Sequence, residues 1–216
     1  MEKTSTAKAW NKANIMRAVN REIKDSVAVQ ARLARYTCAK LVEAADLIAR
    51  RLEKGGKLIV FGNGGSAADA QHIAAELVGR YRVKRKALAA IALTTDSSSL
   101  TAISNDFGFR HVFSRQLEAI GKPADVILAI STSGNSENVL RAAALARRLG
   151  MATIGLSGKS GGKLRNAVDL CLCVPSDSTP RIQEGHSLII HILSGIVENA
   201  AVSSAIAKKA DATLYG

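Results

Sequence analysis

In the stretch VFGNGGSAADAQHIAAELVGR, His72 and Glu76 stand four residues apart, and Arg80 follows at the same interval. On a helix such a row occupies one face. An imidazole beside a carboxylate then has three uses: a salt-bridged pair on a solvated surface, half of a metal site, or an acid/base pair. Further along lie Gln183, His186 and His191. Neutral imidazoles and a carboxylate suit a zinc-like ion, and the two segments together could supply a tetrahedral set. The spacing of Gln183 and His191 opposes it, because eight helical residues separate them by about 12 Å along the axis and about 80° around it. Either Gln183 sits at an irregular helix start, which Pro180 makes reasonable, or the ligands meet across a subunit boundary. His186 has no place in this pattern and reads as a packed or interface histidine.

Two glycine-bearing turns suggest what is held nearby. Gly62-Asn63-Gly64-Gly65-Ser66 follows the apolar run KLIVFG, and Ser131-Thr132-Ser133-Gly134-Asn135-Ser136 follows DVILAIS. Glycines let the backbone approach a ligand, Ser66 could cap the next helix, and hydroxyls at a helix N-terminus make a phosphate cradle without a cationic side chain. The plainer reading makes both turns helix caps only. Neither matches the dinucleotide GxGxxG spacing, and Ser157-Gly158-Lys159-Ser160 is no P-loop, since Thr153 stands where its first glycine belongs.

The elements that must position these residues are legible as periodicity. Residues 7–30, with Trp10, Ala13, Met16, Val19, Ile23 and Val27, and residues 36–53, with Leu41, Ala44, Ile48 and Leu52, predict two amphipathic helices. Five apolar runs of strand length follow at 57–62, 88–94, 125–131, 152–157 and 169–174, alternating with helical patterns at 66–82, after Ser97, at 110–120 and at 136–149. This predicts an α/β fold: a five-stranded parallel sheet flanked by helices, a flavodoxin-like three-layer sandwich with N-terminal helices. A last helix over 181–206 is apolar around much of its circumference, which a subunit interface would bury. The expected organisation is an N-terminal helical segment over 1–35, a domain over 36–206 and a loosely ordered tail over 207–216.

A chain of 216 residues, 47% hydrophobic but only 4% aromatic, supports one sizeable core rather than two domains. No unbroken apolar run reaches the roughly 18 residues of a membrane span, and the N-terminal stretch has no signal-peptide core, so a cytoplasmic location is expected. Cys38, Cys171 and Cys173 are too few for a disulfide framework, and the latter two, in LCLCV, read as core. The formal charge of +12 favours an anionic partner. The basic residues are scattered without aromatic interleaving, which speaks against nucleic acid.

Four motifs, GNGGSAADAQHIAAELVGRY, ISNDFGF, ISTSGNS and RIQEGH followed by IIHIL, resemble in that order the phosphoheptose isomerases, members of the sugar-isomerase (SIS) domain superfamily. The resemblance spans roughly residues 30 to 205. It implies conversion of sedoheptulose 7-phosphate to D-glycero-D-manno-heptose 7-phosphate through an enediol(ate), the first step toward ADP-heptose and lipopolysaccharide heptose. It also implies a homotetramer with shared active sites and one zinc or other divalent ion per subunit. By that similarity Asn63, Gly64, Gly65, Asn105, Asp106 and Gln183 contact the sugar, and Ser131, Thr132, Ser133 and Ser136 hold the phosphate. His72, Glu76, Gln183 and His191 are then the metal ligands, with Glu76 and His191 also the catalytic proton-transfer pair.

A rival of another class is similar along most of the chain: SIS adaptors, without catalysis, that bind the bacterial replication initiator. Those relatives typically lack the residues corresponding to Glu76 and His191. A sugar-phosphate-sensing regulator would carry a DNA-binding module, and an aminosugar-phosphate isomerase or deaminase would not need this His–Glu–Gln–His set.

Overall fold

The computed structural model describes residues 11–214, with side chains described to residue 206. Trp10 and the expectation of a loose tail over 207–216 fall on residues or side chains outside that description. The first element is one helix, α1 (Lys12–Glu53), where the sequence suggested two. The residues between the two patterns, Ala31-Arg-Leu-Ala-Arg35, are good helix formers with no glycine or proline. Its buried positions Val29, Leu33, Thr37, Leu41, Ala44, Ala45 and Ile48 continue one stripe through the supposed break. Asn11 caps its start, its side chain accepting from the Ala13 and Asn14 amides.

Then follow β1 (Leu58–Gly62), α2 (Gly65–Val78), β2 (Ala90–Ala92), α3 (Ser97–Phe107), a 3-10 turn (Phe109–His111), α4 (Val112–Ile120), β3 (Val126–Ser131), α5 (Glu137–Arg148), β4 (Ala152–Gly158), α6 (Leu164–Ala167), β5 (Leu170–Val174) and α7 (Thr179–Leu214). All five expected strands form, and α6 is an addition. The sheet is parallel throughout, in the order β2-β1-β3-β4-β5.

Alternate strand residues feed two cores, as a sheet covered on both faces requires. Leu58, Val60, Leu128, Ile130, Ile154, Leu156 and Leu172 pack with α1, α2 and α7. Ile59, Phe61, Ile127, Ala129 and Cys171 pack with α4 and α5 on the other side. Each such aliphatic side chain contributes roughly 1.5–3 kcal/mol by leaving water. The chain winds outward in both directions from the β1/β3 pair, so the crevice beyond their carboxyl ends is the topological switch point, where ligands of such sheets sit.

Residues Thr179–Ile206 of α7 are 28 in number and include an 18-residue window of mean hydropathy 1.5, long and apolar enough to cross a membrane by length and composition. In the fold, Ile182, Ile189, Ile190, Leu193 and Val197 of this helix seal one face into the core against α1 and α2. It is the helix that carries Gln183 and His191.

Candidate functional site

Both glycine turns lie at the switch point, one after β1 and one after β3. Gly64, at φ +56°, begins α2, and Gly134, at φ +66°, is the pivot of the second turn. The Asn63 and Asn138 side chains exchange two amide hydrogen bonds of 2.9 Å, tying the first turn to the first turn of α5. Ser66 does not cap α2: Gly64 takes the cap position, and Ser66 is buried one residue inside the helix. In the second turn the Ser131 and Ser136 hydroxyls lie 3.0 Å apart, and the Ser133 hydroxyl accepts from the Asn135 amide at 3.1 Å. Ser136 is the N-cap residue of α5 but its side chain makes no capping bond, so the positive end of this helix is open toward the turn.

The second focus is on α2 and α7. His72 Nε2 and Glu76 Oε1 are 3.3 Å apart and both residues are half-buried. The His72 and His191 rings meet edge to face at 4.7 Å. One ligand atom from each of His72, Glu76 and His191 lies within 4.8 Å of the others. Asp69, one turn before His72, accepts from the Ser187 hydroxyl at 2.9 Å and so links α2 to α7. Burial raises the Asp69 carboxyl above its ordinary pKa, against the lowering effects of Ser187 and His72. The Tyr81 ring stacks on His191 at 5.8 Å.

Other expected residues lie elsewhere. Arg80 does not extend the His72–Glu76 row, because α2 ends at Val78 and Gly79 turns the chain away. Gln183 is set against the glycine turn: a Cβ on Gly65 would stand 2.3 Å from its Nε2. Since α7 is helical from Thr179, the irregular start that would have let Gln183 and His191 converge is not there. Asn105 and Asp106 are exposed at the end of α3 and bonded to each other at 2.9 Å. Among the described residues no hydrogen bond joins them to either turn. His186 is fully buried, its Nε2 3.1 Å from the Ser157 carbonyl oxygen. Desolvation lowers its pKa to about 4, the Ser157 contact opposing. This is the packed histidine that the sequence suggested.

A divalent ion fits the His72, Glu76 and His191 donors. Two imidazoles and a carboxylate are a zinc-type set, and ligands about 2.0–2.1 Å from a tetrahedral ion stand roughly 3.3 Å apart. The His72–Glu76 separation of 3.3 Å already matches. Gln183 does not join this set within one chain, for Gly65 is two helical turns before His72.

A family model described as the SIS domain matches residues 23–158. The phosphoheptose isomerase of Roseiflexus sp. (strain RS-1) is 54% identical over 177 residues, covering 82% of this chain and 90% of its own. Two solved structures are also similar. A phosphoheptose isomerase from Neisseria gonorrhoeae has a TM-score of 0.82 at 43% identity, over 86% of this chain and 99% of its own. One from Francisella tularensis has a TM-score of 0.83 at 39% identity, over 85% and 98%.

Proposed function

The chain belongs to the SIS domain family and, within it, to the phosphoheptose isomerases, and from that premise we propose that it converts sedoheptulose 7-phosphate to D-glycero-D-manno-heptose 7-phosphate through an enediol(ate). The observation that carries the mechanism is the meeting of Glu76 and His191 in one half-buried cluster. Moving a carbonyl between adjacent carbons needs a base for the carbon-bound proton and an acid for the oxygen. Glu76 is the base: its Oε1 faces His72, which leaves Oε2 for the substrate carbon. His191 protonates the oxygen.

The phosphate is held by Ser131, Thr132, Ser133 and Ser136 at the open N-terminus of α5, and the sugar hydroxyls by Asn63, Gly64, Gly65 and Gln183. Asn105 and Asp106, exposed at the end of α3, complete the sugar contacts. A zinc ion on His72, Glu76 and His191 would supply fixed positive charge beside the reacting carbons.

Full use of the residues calls for a homotetramer with shared sites, in which Gln183 comes to the cluster from a neighbouring copy. An apolar stripe on α1 supports association: Met16, Val19, Ile23 and Val27 are all more than half exposed in the single chain. The proposed setting is the cytoplasm, at the first step toward the ADP-heptose of lipopolysaccharide. The comparisons lend no support to an initiator-binding adaptor. The test is turnover of sedoheptulose 7-phosphate by purified protein, before and after chelation and after zinc is returned. Activity that falls and recovers is expected; absence of turnover with any divalent metal would overturn the reading.

A further inference from the structure

Glu198 lies two turns beyond His191 on α7 and is 1% exposed. A buried carboxylate is costly unless fully satisfied. This one accepts from three successive backbone amides, Tyr81 at 3.0 Å, Arg82 at 2.8 Å and Val83 at 3.1 Å. It also faces the buried Arg85 guanidinium, with Nε 3.1 Å from Oε1. Arg85 in turn donates to the carbonyl oxygens of Glu76 at 2.9 Å and Leu77 at 2.8 Å, in the last turn of α2. One buried ion pair therefore fastens three things together: the helix of His191, the last turn of the helix of Glu76, and the segment between them.

The side chain this clamp seats is Tyr81. Its ring lies over His191 at 5.8 Å with the planes 25° apart. Gly195, one turn past His191, makes room for it, since a Cβ there would stand 3.2 Å from Tyr81 Cε1. His191 thus meets the His72 ring nearly at right angles and the Tyr81 ring nearly parallel to its own plane. An imidazole on a helix is otherwise free to rotate about its side-chain bonds. We infer that Tyr81, seated by the Glu198–Arg85 pair, is a positioning residue that fixes the plane of the His191 imidazole for proton transfer. The inference rests on the isomerase reading above for what His191 does, but the stacking is testable without it.

Tyr81→Leu removes the ring while keeping apolar volume, and Tyr81→Phe keeps the ring. With loss of a neighbour that orients a site residue, activity falls roughly 10- to 100-fold. That loss is expected in kcat for Tyr81→Leu, with KM held within about twofold, and Tyr81→Phe should restore most of it. In protein labelled at the histidine ring nitrogens, the His191 signals should move in Tyr81→Leu and stay near the parent's in Tyr81→Phe. Should Tyr81→Leu fold poorly, Gly195→Ala is the second variant, since it pushes on the ring edge while favouring the helix; it should lower kcat and shift the same His191 signals. Parent-like kcat in Tyr81→Leu, a KM that rises in step with the loss, or unmoved His191 signals would each overturn the proposal. A parent protein without isomerase turnover would instead refute the isomerase reading.

Discussion

Replacing Gly65 by alanine should separate the stability of the first turn from its use. The added Cβ would sit 2.3 Å from Gln183 Nε2 and 2.9 Å from its Cδ, so the amide must leave. That atom is the far end of a flexible side chain, and moving it costs about 0.5–1.5 kcal/mol. Gly65 is the first residue of α2 without a positive φ, so alanine returns up to about 1 kcal/mol of helix propensity. The net change should lie within about 1 kcal/mol, or roughly 2–4 °C in Tm for a chain of this size. If Gln183 holds the sugar as proposed, the displaced amide removes one contact, and KM should rise several-fold to about tenfold, as for one hydrogen bond. Gly134→Ala is the contrast: its Cβ would lie 1.9 Å from the Gly161 carbonyl oxygen, at φ +66°. Left-handed backbone alone costs about 1–2 kcal/mol for alanine, and here backbone meets backbone. A loss of about 3 kcal/mol or more is expected. Thermal unfolding and initial-rate kinetics on both variants decide the matter. The reasoning fails if Gly65→Ala loses as much stability as Gly134→Ala, or keeps the parent KM.

Glu76→Gln keeps the shape and removes the base, so turnover should fall by about 10²-fold or more while sugar-phosphate binding, followed by titration calorimetry, stays within about tenfold; equal losses would make Glu76 a holding residue only. His186 makes stability acid-sensitive: its pKa is about 4 when folded against 6.5 when exposed, so the unfolded chain takes up the proton first as pH falls. Stability is then full above about pH 6.5 and declines toward pH 4, by about 2–3 kcal/mol at pH 4.5. Urea unfolding at pH 7.5 and 4.5 should show this decline reduced by that amount in His186→Leu; an equal decline in both proteins would assign the acid sensitivity to other groups.

The strands were legible because strands buried on both faces are continuous apolar runs, and KLIVFG or DVILAIS cannot be much else at that length. The His72–Glu76 pair was legible because its spacing is local to one helix. Arg80 was misplaced because its fate is set from far along the chain: Glu198, 117 residues beyond Tyr81, draws residues 81–83 off the line of α2. Asn138, Ser187, Arg85 and Glu198 lie outside the four motifs, Asp69 lies inside one without a role assigned to it, and each matters through a partner on another element. The single long α1 was missed for a different reason, since a repeated amphipathic pattern does not show whether the chain breaks between repeats unless a breaker is present.

The split of the four metal-type residues follows from how α2 and α7 lie together. Contacts climb both helices in the same direction: Gly65 with Gln183, Asp69 with Ser187, His72 with His191. The helices therefore run side by side as two rulers, and Gln183 is held at the first glycine turn, about 12 Å of rise from His191. If all four residues serve one ion, Gln183 must come from a second copy. In that case two inactive variants, Gln183→Ala and His191→Ala, should regain activity when their subunits are mixed and allowed to exchange. At equal mixing about a quarter of sites would combine an intact Gln183 with an intact His191 from the other copy. Were Gln183 and His191 to act at a site within one chain, no mixed site would be whole and no activity would return. Recovery on mixing would establish sites shared between copies, and its absence in exchanged oligomers would confine each site to one chain and leave Gln183 to the sugar.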